Sequence, residues 1–73
     1  MKNYNVEIKI NEFNKGDLEI TCNNIRDYLK NLECKFLIFP KIILKTNNPA
    51  VEVFFEEYFK FFYANELVII RCE

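Results

Sequence analysis

The chain has 73 residues, 51% of them hydrophobic and 16% aromatic, and its ten Lys and Arg against eleven Asp and Glu leave a formal charge of −1. That length predicts a single small globular domain over residues 1–73, near the lower limit for a self-sufficient core, with eight Phe making a dense core feasible. The near-neutral balance argues against domains that grip nucleic acid through counterion release, and the absence of His, Ser and any Gly-rich loop argues against most catalytic machinery.

Residues 1–10 alternate polar and apolar, so no signal peptide is expected. Tyr4, Val6, Ile8 and Ile10 lie on one face of this stretch and Asn5, Glu7 and Lys9 on the other, the pattern of a half-buried strand. Asn14-Lys15-Gly16 reads as a hairpin turn with Gly16 at positive φ, and Asp17–Cys22 as a second alternating strand with Leu18, Ile20 and Cys22 inward. Asn23 and Asn24 then offer a cap to a short helix carrying Ile25, Tyr28, Leu29 and Leu32 at i, i+3, i+4 and i+7.

Two continuations fit the stretch from there to Lys45. Phe36 and Phe39 extend the helical face until Pro40 stops it. A strand from about Lys35 to Lys45 is preferred, because Phe36, Ile38, Ile42 and Leu44 then share one face, with Pro40 marking a bend, a bulge or a sheet edge. The next helix is the clearest element. Asn48 caps it, Pro49 takes its first position, Asn65 can end it in the left-handed conformation, and Val51, Phe54, Phe55, Tyr58, Phe59 and Phe62 form its apolar stripe. Glu56 and Lys60 are expected to pair on its far side. Leu67–Ile70, apolar on both faces, reads as a central strand.

The predicted order is therefore β-β-α-β-α-β. This is an α+β fold with a four-stranded mixed sheet, five-stranded if Pro40 splits the third strand, and both helices packed on one face.

Three cysteines without CxxC spacing read as free thiols, and no metal or other cofactor is expected. Glu52, Glu56 and Glu57 read as a solvated helix face rather than a metal site. No stretch reaches the length of a membrane span. The bias toward Lys, Asn, Ile, Phe and Tyr fits AT-rich coding DNA, which suggests a low-GC bacterium, its phages or another AT-rich virus; the expected location is the cytoplasm of that bacterium or of the virus's host cell.

What remains is apolar surface without cover. Leu37, Phe39, Lys41, Ile43 and Lys45 are expected on the open sheet face, and Val53, Glu57 and Phe61 on the second helix, as partner-binding residues. The leading expectation is a non-enzymatic protein-binding module, such as a small phage- or virus-encoded modulator or inhibitor of a host protein. The alternatives are a homodimer packed through its open sheet face and a weak single-stranded nucleic-acid binder using the lysine-bearing face.

Overall fold

The computed structural model describes residues 5–60 and 65–71. Its elements are β1 (Asn5–Lys9), α1 (Lys15–Phe36), β2 (Lys41–Lys45), α2 (Pro49–Phe59) and β3 (Leu67–Ile70). The described residues form an α+β fold with two helices and a three-stranded sheet in the order β1-β2-β3. Both pairings are parallel, Val6 opposite Ile42 and Ile42 opposite Leu67. Val6 and Ile8 of β1, Ile42 and Leu44 of β2, and Leu67 and Ile69 of β3 form the covered face. Leu18, Cys22, Ile25 and Leu29 of α1 and Val51, Phe55 and Phe59 of α2 pack on it.

The expected hairpin is corrected. Residues 17–22 belong to α1, and β1 pairs with β2 rather than with its own chain neighbour. Over six residues, Leu18 and Cys22 satisfy a strand period and a helical i, i+4 step equally well. Continuity decides, since Leu18, Cys22, Ile25, Leu29 and Leu32 form one buried stripe over 22 residues of helix. Ile20 is left outside that stripe and is 61% exposed. Asn14 caps the helix, its side chain accepting from the Asp17 N–H at 3.2 Å. Gly16 lies in the first turn without positive φ.

The predicted strand Lys35–Lys45 is corrected to Lys41–Lys45, and Pro40 does not split it into two. Helix α1 ends at Phe36 because Pro40 disfavours helical backbone at Phe39 and its ring would collide with the Phe36 carbonyl. Leu37 takes the left-handed conformation, φ 53°, and its N–H reaches the Glu33 carbonyl at 3.1 Å. Leu37 and Phe39 therefore lie in the α1–β2 connection and not on a strand.

Asn48 and Pro49 start α2 as expected, the Asn48 side chain accepting from the Ala50 N–H at 3.0 Å. The helix is capped at Lys60 in right-handed backbone. Asn65 does not take the left-handed conformation; its side chain donates to the Pro40 carbonyl at 2.8 Å instead. Phe61 and Phe62 lie outside the described residues. Lys60 pairs with Glu57 at 3.0 Å rather than with Glu56. The central strand is β2, and β3 is an edge. Leu67 and Ile69 reach the core while Val68 and Ile70 turn away from it.

Two substitutions separate this fold from the hairpin reading. A Cβ at Gly16 would meet only the Asn14 Oδ1, at an ordinary 3.6 Å. Gly16→Ala should therefore stabilise by about 0.5 kcal/mol in urea unfolding, whereas a positive-φ turn glycine would lose stability. Leu37→Gly should gain about 1 kcal/mol, because an exposed side chain in left-handed backbone contributes strain and little packing.

Candidate interaction surfaces

With both helices on one side, the other face of the sheet carries Asn5, Glu7 and Lys9 from β1, Lys41, Ile43 and Lys45 from β2, and Val68 and Ile70 from β3. The parallel register arranges these side chains in rows. Glu7, Ile43 and Val68 are neighbours across the strands, as are Lys9, Lys45 and Ile70. Adjacent strands lie about 4.8 Å apart, so Lys9 and Lys45 stand side by side as like charges. Neither side chain has an ion-pair or hydrogen-bond partner among the described residues. At the other end of the face Lys41 is paired, its Nζ 3.7 Å from Glu66 Oε2.

Of the five residues expected on the open face, Lys41, Ile43 and Lys45 are brought together there. Leu37 and Phe39 are exposed but belong to the preceding connection.

The helical layer presents a second surface. A groove of about 520 Å³ is lined by Phe13, Pro49, Ala50, Val53, Phe54 and Glu57. A second depression of about 370 Å³ shares Phe54 and Glu57 with it and adds Glu19, Asn23 and Tyr58. Val53 and Glu57, expected as a binding pair, do line one groove, while Phe61 lies outside the described residues. The rings form a row: Phe13 meets Phe54 edge to face at 6.4 Å, and Phe54 stacks on Tyr58 at 6.4 Å. The Tyr58 hydroxyl donates to Asn23 Oδ1, tying α2 to α1 at the end of the row.

Sequence reasoning places Glu19 on an exposed face but misses Phe13, Asn23, Phe54 and Tyr58 as groove-lining residues. Spacing puts Phe54 and Tyr58 in the core stripe, yet only Val51, Phe55 and Phe59 of that stripe are fully buried among the described residues. The available signal is the width of the stripe. Six apolar positions exceed what one helix buries against a single sheet face.

At the C-terminal edge of the sheet, where open parallel α/β folds commonly hold ligands, asparagines tie the β1–α1 connection to the β2–α2 connection. Asn11 Oδ1 accepts from the Asn47 N–H at 3.1 Å, and Asn48 Nδ2 donates to the Asn11 carbonyl at 3.0 Å. Beside them Arg71 Nε lies 3.5 Å from Glu52 Oε1. Among the described residues no three His, Cys, Asp or Glu side chains come together in metal-binding geometry, and no helix is long and apolar enough to cross a membrane.

Comparison with protein-family models, with curated proteins and with solved structures finds no match.

Cys22 is fully buried and Cys34 exposed, both as free thiols. Burial pushes the Cys22 thiol up to about 11, so the folded state holds a proton that the unfolded state releases above its ordinary value of 9.0. The contribution of Cys22 to stability is complete below pH 9 and is lost as the pH rises toward 11. Iodoacetamide at neutral pH should modify Cys34 quickly and spare Cys22 until denaturant is added, a difference readable by peptide mass mapping. Equal rates in the native state would contradict the burial.

Proposed function

We propose that the protein is a non-enzymatic module that binds another protein through the open face of its sheet. One observation supports this reading above the others: the Lys9–Lys45 pair, unneutralised among the described residues, stands against an apolar set of half-buried Ile43 and Val68 and exposed Ile70. Ile70 is 43% exposed at an edge where a covered strand would bury it. A partner that supplies apolar side chains flanked by carboxylates would relieve both features, desolvating the aliphatic residues and neutralising the lysines.

The size of the face sets the strength. Three strands of four or five residues, with a rise of about 3.3 Å per residue and a spacing of about 4.8 Å, span roughly 200–250 Å². Stable interfaces bury about 800 Å² per partner. A stable contact therefore requires a partner that also reaches around the sheet edge.

A lysine pair also suits phosphate, which is the basis of the nucleic-acid alternative. Glu7 and Glu66 oppose it on the same face. Phe39, the aromatic expected to stack on a base, is not on the sheet, and no other aromatic lies on this face among the described residues.

The test compares three immobilised proteins in native host extract: wild type, Lys9→Glu/Lys45→Glu, and Val53→Asp on the helical layer. The reading expects one stoichiometric partner, held by wild type and by Val53→Asp and lost by the double lysine variant. Capture by none of the three, or equal capture by all, would overturn it. A salt-dependent shift of single-stranded oligonucleotides that the lysine variant abolishes would favour nucleic acid instead.

A further inference from the structure

On the opposite side of the molecule, the two joined depressions differ in chemistry. The larger is walled by Phe13, Val53 and Phe54, with Val53 57% and Phe13 48% exposed, and suits an aliphatic or aromatic side chain. The smaller places two carboxylates, Glu19 and Glu57, around the stacked rings of Phe54 and Tyr58, with the amide of Asn23 beside them. Among the described residues no cation lines either depression. Lys60 meets Glu57 at one oxygen, Oε2, while Glu19 has no ion-pair partner among the described residues.

Acids at the rim and electron-rich ring faces both favour a positive charge. A planar guanidinium can lie over an aromatic face while its N–H groups reach carboxylates on either side. Phe54 and Glu57 belong to both depressions, so a cationic and an apolar group must arrive close together.

We propose that this groove binds a polypeptide segment presenting an arginine next to an apolar side chain. In an extended segment, residues two apart point the same way about 6.6 Å from each other. That spacing matches the 6.4 Å steps of the row Phe13, Phe54, Tyr58. The arginine lies over Tyr58 and Phe54 between Glu19 and Glu57, and the apolar residue enters between Phe13 and Val53. This site does not depend on the sheet-face reading, because the two surfaces lie on opposite sides of the sheet.

The probe is a pair of capped peptides containing Phe-Ala-Arg, one with arginine and one with citrulline, which keeps the shape and removes the charge. Both are titrated into the 73-residue protein and followed by NMR shifts of α1 and α2 amides. Saturable binding of the arginine peptide, about tenfold tighter than the citrulline peptide, is expected. Glu19→Gln/Glu57→Gln should cut that preference to the part the ring faces supply, and Val53→Asp should weaken both. All three positions are exposed, and unchanged circular dichroism confirms that each variant folds. No saturable binding, equal affinity for arginine and citrulline, or arginine amide alone binding as tightly as the peptide would overturn the proposal. Lys9→Glu/Lys45→Glu should leave this titration unchanged, which separates a failure here from a failure of the sheet-face reading.

Discussion

Two right-handed crossovers in sequential strand order control everything else in this molecule. Each β-α-β unit must turn the same way, and the order β1-β2-β3 never reverses, so both helices come to the same side of the sheet. The core is therefore a single layer between two helices and one sheet face. Only alternate residues of each strand can enter it: Val6 and Ile8, Ile42 and Leu44, Leu67 and Ile69. Strand β2, hydrogen-bonded on both sides, holds the most deeply buried of these, with Ile42, Leu44 and the following Thr46 almost inaccessible. The remaining alternate positions have no covering element among the described residues, and there Ile70 is exposed while Ile43 and Val68 stay half-buried.

The abundant asparagines fix how the layers meet. Asn14 and Asn48 cap the two helices, Asn11 ties the β1–α1 connection to the β2–α2 connection, and Asn65 holds the approach to β3 against Pro40. Asn is suited to these places because its short amide reaches nearby backbone donors and acceptors without needing regular structure. The link between Asn11 and residues 47 and 48 has a consequence for the helical surface. It brings the β1–α1 connection beside the start of α2, and so sets Phe13 against Phe54 and next to Pro49 and Ala50. The groove is thus assembled from chain segments some forty residues apart.

Legibility in the sequence depends on the length of each pattern. Helix α2 can be read because its signals agree: an Asn-Pro start and an apolar stripe that fits only a helical period. Strand β1 can be read from its alternation. Residues 17–22 cannot, since Leu18-Glu19-Ile20-Thr21-Cys22 alternates perfectly and Gly16 precedes it where a turn would want it. The helical alternative requires Leu18 and Cys22 to be joined with Ile25, Leu29 and Leu32 across Asn23 and Asn24, two residues that resemble a cap and are mid-helix. Tertiary packing overrides that local signal. Lys41, Ile43 and Lys45 fall on the open face as expected, because a five-residue strand fixes its own alternation. Leu37 and Phe39 do not, because the turn at Leu37 is a left-handed backbone at a leucine, which no propensity suggests.

The formal charge of −1 conceals two surfaces of opposite sign, and their arrangement bears on whether the chain would pair with itself. Two of the symmetric sheet-to-sheet arrangements keep the strands of the two copies aligned. With the two-fold axis along the strands, the Lys9–Lys45 row faces its own copy, four like charges across a closing interface. With the axis across the strands, that row faces Asn5, Lys41 and Glu66, where the one acid is already engaged by Lys41. Neither option neutralises the lysine pair, and burying it unneutralised is costly. A head-to-tail contact would match the lysines to Glu19 and Glu57, but it would set a flat sheet face against a groove between helices, and shape complementarity fails where charge succeeds. In these arrangements electrostatics and shape disfavour self-pairing, and the two proposed partners differ in kind, acidic for the sheet side and cationic for the helical side.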